Sequence, residues 1–311
     1  MERRSLGRAG PQISVVGYGA WEAGGTDWGP NPSDAEVIQA MRAAIDAGVT
    51  WIDTAEGYGR GRSEELVAEA VSGRRDDVLI FTKVAPDEAG SGLRPDEVRS
   101  AIRSSLRRLR TDHVDLYQIH WRDDRIPVED TWGAMTELMT EGLVQHIGVS
   151  NFDRSLIERC LAIHHVDSVQ NEFSLLSLDD RADLLPWLEG RGVGYLAYGP
   201  LAFGLLTGAV RPETSFSQGD WRRGARQEAE GLFAPGAFER NVTLADRLGS
   251  LADRLQTSSA ALALRWAIEQ KGVSGVIAGS RKTDHVRENA AAGEAALDAA
   301  TLQAVEEIFA I

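Results

Sequence analysis

Short runs of β-branched and aromatic residues recur along the chain, and most are followed by a stretch with helical spacing. The expected strands are Ile13–Gly17, Val49–Asp53, Val78–Lys83, Val114–His120, Val144–Val149, Val166–Gln170, Val193–Ala197 and Gly275–Ala278. A hairpin is expected at the extreme N-terminus, with Gly10 and Pro11 at its turn. Helical patterns lie between the strands, among them Asp34–Ala47 and Pro95–Leu109. In the second, Val98, Ile102, Leu106 and Leu109 recur at three- and four-residue steps, and Pro95 and Asp96 supply a helix start. Its arginines suit a solvated outer face better than a membrane-surface helix.

Strand and return helix repeat every ~30 residues through the first five units, which implies parallel strands joined by long crossovers. An open doubly wound sheet and a closed barrel both satisfy that alternation. About eight strands favour the barrel, so the fold class is α/β, a (β/α)8 TIM barrel with an N-terminal hairpin. No composition break divides the chain, and residues 1–311 are expected to form one domain. From Gly199 to about Pro235, after the seventh strand, neither strand nor clear helix is predicted. Only Gly, Arg, Glu and aromatics (Phe203, Phe216, Trp221, Phe233) appear there, as in a long loop acting as a lid.

The apolar runs end in polar residues: WIDTAEGYG, LIFTK, DLYQIHW, HIGVSNF, VDSVQNEF, GYLAYGPL and GVIAGSRK. In a parallel barrel all strand C-termini share one rim, where catalytic groups gather from several strands. One such ending is an ordinary exit from a core. Repeated through the chain, with Asp, Tyr, Lys, His, Asn and Gln among them, they predict a convergent site.

Composition narrows the chemistry. The 311 residues are 43% hydrophobic and 26% charged, a globular mix. With 47 acidic and 33 basic residues the formal charge is −14, which argues against nucleic acid and anionic lipid as partners. A phosphate-bearing ligand therefore needs a local cationic pocket. A single cysteine, Cys160, excludes an internal disulfide framework and fits a reducing compartment. The N-terminal MERRSLGRAGPQIS has no apolar core and no stretch approaches a membrane span, so a cytoplasmic protein is expected.

Read in order, GYGAW (Gly17–Trp21), DTAEGYG (Asp53–Gly59), FTK (Phe81–Lys83) and DLYQIH (Asp115–His120) form the first half of a recognisable set. GVSNF (Gly148–Phe152), Gln170, YGPL (Tyr198–Leu201) and GSRKTDHVREN (Gly279–Asn289) complete it. The chain thereby resembles the aldo-keto reductase superfamily over essentially its whole length. The resemblance implies a TIM barrel that binds NADPH without a Rossmann fold, so GYGRG at Gly57–Gly61 is not a dinucleotide fingerprint.

It also places the catalytic residues at Asp53, Tyr58, Lys83 and His120. Reducing a carbonyl puts negative charge on oxygen, which must be protonated as it grows. A phenol near pKa ~10 holds its proton firmly. An ammonium about 4 Å away is worth roughly 4 kcal/mol at an effective dielectric of 20, so Lys83 is expected to lower the Tyr58 pKa, with the phenol's own desolvation pushing back. Asp53 would hold Lys83 charged, and His120 would orient the substrate oxygen.

For the cofactor, the resemblance implies that Ser150, Asn151 and Gln170 bond the nicotinamide carboxamide and that Tyr198 stacks on its ring. Gly19, Ala20, Trp21, Asp53, Gly199, Pro200 and Leu201 are expected to line the same cleft. Gly279, Ser280 and Arg281 precede a helical pattern and form an anion pocket for the NADPH ribose phosphate. His285, Glu288 and Asn289 fall near the adenine, His285 standing where the family often has Gln. Trp21, Glu56, Tyr58, His120 and Trp121 are the expected substrate pocket, with Glu56 disfavouring anionic keto acids. No metal ligand set is expected.

The function this implies is NADPH-dependent reduction of aldehydes or ketones to alcohols, an alcohol:NADP oxidoreductase with Tyr58 as general acid and a small carbonyl compound as partner. The alternative is a non-catalytic NADPH-binding subunit resembling potassium-channel beta subunits. A metal-dependent barrel isomerase using Asp53, His120 and Glu172 is the third reading, which no ligand motif supports.

Overall fold

The computed structural model describes every residue except 26, 31, 87–91, 228–230 and 295. Two strands, β1 (Arg3–Ser5) and β2 (Gln12–Ser14), pair antiparallel as an N-terminal hairpin. Eight more are β3 (Val16–Gly19), β4 (Trp51–Asp53), β5 (Leu79–Val84), β6 (Val114–Ile119), β7 (Val144–Ser150), β8 (Ser168–Glu172), β9 (Gly194–Tyr198) and β10 (Val273–Ile277). They run parallel in sequence order, and β10 closes on β3 to complete a barrel.

Helices α1 (Asp34–Asp46), α2 (Arg62–Ala70), α3 (Pro95–Leu109), α4 (Val128–Thr140), α5 (Arg154–Leu161) and α6 (Leu184–Glu189) each return the chain from one strand to the next. After β9 come α7 (Trp221–Gln227), α8 (Ala237–Arg254) and α9 (Ser259–Glu269), and after β10 come α10 (Thr283–Ala291) and α11 (Ala299–Phe309). Local sequence sets these boundaries. Ser33 and Glu36 form a reciprocal capping box that starts α1. In α3, Pro95 sits in the first turn and Val98, Ile102, Leu106 and Leu109 face the strands. Among the described residues no helix is long and apolar enough to cross a membrane.

Two expectations need correction. The run Ile13–Gly17 is not one strand: it divides at Val15 into β2 of the hairpin and β3 of the barrel. The stretch from Gly199 to Pro235 is also more ordered than its sequence suggests. It holds 3-10 turns at Ala202–Thr207 and Gly231–Phe233 and the short helix α7, while its residues 228–230 lie outside the described set. Helix α7 buries Ala225 and half-buries Trp221 on an otherwise Arg-rich turn, too short a stripe to give periodicity.

Alternation along the strands decides what fills the barrel, because successive side chains point to opposite faces. Trp51, Phe81, Leu116, Leu196 and Ile277 point inward, and Leu6 and Ile13 from the hairpin region close the lower end against them. The Trp51 and Phe81 rings lie 5.0 Å apart, and Trp51 Nε1 donates to the Ser14 carbonyl at 2.8 Å. Gly17 is required here, since a Cβ would fall 2.2 Å from the Trp51 ring. Two residues further along β4, β5 and β9 the same inward face carries Asp53, Lys83 and Tyr198, and β8 adds Gln170 beside them. The apolar layer is therefore the floor of the polar one. Trp51→Ala should lower unfolding stability by about 3–5 kcal/mol, measured by urea titration; a loss below about 1 kcal/mol would mean the layer repacks freely.

Candidate active site

Register brings the strand ends together. Asp53 pairs with Phe81, Lys83 with Gln118 and Ser150 with Gln170 across neighbouring strands, so the inward polar residues form one ring. At its centre Lys83, fully buried, donates from Nζ to Asp53 Oδ1 at 2.5 Å and to the Thr54 carbonyl at 2.9 Å. Gln170 Nε2 donates to the other Asp53 oxygen at 2.8 Å. Each charged atom thus has a partner, which a buried ion pair requires.

Tyr58 leaves β4 on a tight turn in which Gly59 and Arg60 are both left-handed, with φ of 59° and 57°. A Cβ on Gly59 would lie 2.2 Å from the Gly24 carbonyl, so this glycine lets the Tyr58 turn press against the turn carrying Trp21. The Tyr58 ring then lies 5.2 Å from Lys83 Nζ, edge-on to His120 at 5.6 Å, and stacked with Trp21 at 6.3 Å. Asp53, Tyr58, Lys83 and His120 are therefore brought together at one mouth.

The electrostatics differ from expectation at one point. Burial pushes the Tyr58 phenol well above its usual 10, and the Asp53 charge pushes it the same way. The predicted lowering by Lys83 is absent because Asp53 sits on the ammonium: the pair is net neutral, and desolvation wins. Burial also lowers Lys83, with Asp53 opposing. His120 lies well below 6.5, through burial first and the nearby Lys83 second.

A cavity of about 1460 Å³ opens above this ring. Gly19, Trp21, Asp53, Tyr58, His120 and Trp121 line it, as do Ser150, Asn151, Gln170 and Tyr198 through Leu201. Gly279, Ser280, Arg281, His285, Glu288 and Asn289 line its far end. Ala20 does not: it is buried behind the wall, its N–H on the Asp53 carbonyl and its own carbonyl taken by Ser63. Glu56 is not part of the wall either. Its Oε1 accepts from Ala85 N at 3.3 Å near Glu64 and Arg108, and burial pushes its pKa up to about 7. The expected role of Glu56 against keto acids therefore falls, because the side chain faces away from the cleft.

Several residues expected to bind are already engaged by the protein. Asn151, at φ 60°, donates from Nδ2 to the His120 carbonyl at 3.0 Å and accepts from the Tyr198 hydroxyl at 2.7 Å. Ser150 Oγ donates to the Gln170 carbonyl at 2.7 Å. These bonds hold the Tyr198 ring and the rim of β6 to β9 in fixed relation. Arg281 donates to the carbonyls of Trp28 and Pro30 at 3.0 and 3.2 Å.

Sequence reasoning missed Glu22, Trp28 and Arg222, all of which line the cavity. Trp28 pairs with Asp220 through an isolated bridge, and its ring is edge-on to Trp21 at 5.0 Å and to Trp221 at 6.0 Å. Trp221 stacks on Trp21 at 5.8 Å and Phe203 is edge-on to Trp21 at 6.3 Å, so the segment after β9 is stitched to the turn after β3 by aromatic contacts. An indole in an aperiodic Gly-rich stretch was the one pointer available. Among the described residues no group of His, Cys, Asp or Glu is arranged to hold a metal ion, and Glu172 instead lines the cleft with Ser177 as its hydrogen-bond partner.

The geometry can be set beside known proteins. The sequence profile described as the Aldo/keto reductase family matches residues 15–310. Aldo-keto reductase YhdN of Bacillus subtilis is 36% identical over 289 residues, covering 91% of this chain and 86% of that protein. The solved glycerol dehydrogenase AKR11B4 of Gluconobacter oxydans superposes with a TM-score of 0.86 at 30% identity, covering 99% of this chain and 94% of its own. An aldo/keto reductase of Klebsiella pneumoniae, solved in complex with NADP and acetate, gives 0.77 at 30% identity, covering 99% and 96%. Closed barrel, ordered rim and profile agree, and the chain belongs to the aldo/keto reductase family.

Proposed function

We propose that the protein reduces aldehydes or ketones to alcohols with NADPH, and that Tyr58 gives the proton. The observation that carries this reading is a buried phenol beside a buried imidazole at the inner end of a cleft sized for a dinucleotide. Its volume of about 1460 Å³ exceeds the ~300–1,000 Å³ of ordinary small-ligand sites, leaving room for a dinucleotide and a small carbonyl together. The cationic Arg281 at the far end suits a phosphate, and the Klebsiella pneumoniae relatives solved with NADP and NADPH support that choice.

In this reading Ser150, Asn151, Gln170 and Tyr198 hold the nicotinamide end, with Gly19, Trp21 and Gly199 to Leu201 along the wall. Gly279, Ser280, Arg281, His285, Glu288 and Asn289 take the phosphate and adenine end. A bound dinucleotide would supply the hydride that the carbonyl carbon needs.

This chain's residues handle the charge that follows. His120, held neutral by its burial, presents an N–H that orients the carbonyl oxygen and has no excess proton to give at neutral pH. Proton donation then falls to Tyr58. Its phenol is a weak acid at rest, yet an alkoxide is a far stronger base than a phenolate, so transfer runs downhill once negative charge has grown. Lys83, 5.2 Å from the ring, stabilises the phenolate left behind, and Asp53 keeps Lys83 in place. Trp21, Trp121 and Phe203 suit a substrate with an apolar body.

Tyr58→Phe should lower kcat for carbonyl reduction by about 10³-fold with NADPH affinity preserved, read by absorbance and by fluorescence titration. Equal loss of affinity would place Tyr58 in binding rather than proton transfer. The raised phenol also sets a pH signature. Reduction uses the protonated form and should stay flat from about pH 6 to 9, whereas alcohol oxidation needs the phenolate and should climb past about pH 10. An oxidation rate that levels off below about pH 8 would contradict Tyr58 as the base.

A further inference from the structure

The far end of the cleft holds an acid that the proposed chemistry does not use. Glu22, in the turn after β3, lines the cavity with its carboxylate 3.6 Å from Arg281 Nε. The Arg281 backbone N–H, Arg222 of α7 and His285 of α10 lie near enough in the same cleft to act on its charge. Tyr18 of β3 lies close enough to feel its charge, though its hydroxyl donates to the Ser280 carbonyl. Burial pushes the Glu22 carboxyl upward, and the nearby Arg281 and Arg222 guanidinium groups oppose that shift.

A guanidinium and a backbone N–H just ahead of α10 are the groups a phosphate would take. Glu22 already stands against the guanidinium, and the carbonyls of Trp28 and Pro30 fix the Arg281 fork where the carboxylate meets it. We propose that Glu22 is a cofactor-specificity residue, an internal carboxylate that competes with the ribose phosphate of NADPH for Arg281 and so narrows the preference for NADPH over NADH. This rests on the reading that Arg281 receives that phosphate. A dianionic phosphate beside Glu22 must displace the carboxylate or share one cation with it. NADH has no phosphate at that position and escapes most of the conflict.

The test is a double-mutant cycle on dinucleotide binding, read by quenching of tryptophan fluorescence on titration with NADPH or NADH. Glu22→Gln keeps size and hydrogen bonding, with Glu22→Ala as a second variant and the thermal midpoint as a folding control. Glu22→Gln should lower the Kd for NADPH about fivefold and that for NADH less than about twofold. In an Arg281→Ala background the gain should vanish. Unchanged or weaker NADPH binding in Glu22→Gln, equal tightening of NADH, or a gain that persists without Arg281 would each overturn the inference. Wild-type protein that binds NADH but shows no NADPH preference lost on Arg281→Ala would instead remove the phosphate reading beneath it, and the inference with it.

Discussion

The site depends on one buried ion pair. Lys83 and Asp53 stand on adjacent parallel strands at the upper end of the barrel, almost without solvent contact. Taking two charges out of water costs several kcal/mol each, and only close geometry with full hydrogen bonding offsets that. Both conditions are met, by Thr54 on the ammonium and Gln170 on the carboxylate. The pair is thus less a source of stability than a fixed dipole beside Tyr58. Its net charge is zero and the phenol is buried, so the resting phenol stays protonated; under the proposed function the ammonium end acts only when the proton departs.

Everything around the pair serves position. Inward residues of the lower barrel form an apolar floor under the polar ring, so Asp53 and Lys83 rest on Trp51 and Phe81 instead of on water. Above the ring, Asn151 spends both ends of its amide on the rim, tying His120 to Tyr198. Trp21, Trp28, Phe203 and Trp221 then join two loops over the cleft. Rigid strands hold the Asp53–Lys83 pair, Tyr58 and His120 stand just past strand ends, and longer loops cover the cleft.

Much of this was legible in the sequence, for a physical reason. Parallel strands put all their C-terminal residues on one rim, so polar endings such as LIFTK and DLYQIHW report a shared location before any contact is known. Period-two alternation then separates Asp53 from Ile52 and Lys83 from Thr82. What was not legible concerns segments without a period. Glu56 lies in a turn, where neighbouring side chains carry no rule about direction, and it faces away from Tyr58's cleft. Ala20 was assigned to the wall by its motif, yet its backbone bonds draw it behind. Among its described side chains helix α7 buries only Ala225, which leaves no stripe. The balance at Tyr58 was not legible because a sequence names the opposing effects but neither how deeply the phenol is buried nor how closely Asp53 offsets Lys83.

Lys83→Met is the most direct probe of this arrangement, since it removes the ammonium and keeps the bulk. With NADPH affinity and folding verified first, the rate of carbonyl reduction should be followed in a single turnover by loss of NADPH absorbance. The account predicts a fall of about 10²-fold or more at pH 7, the scale of losing one preorganised electrostatic partner. A single-turnover rate equal to that of the wild-type protein would contradict it.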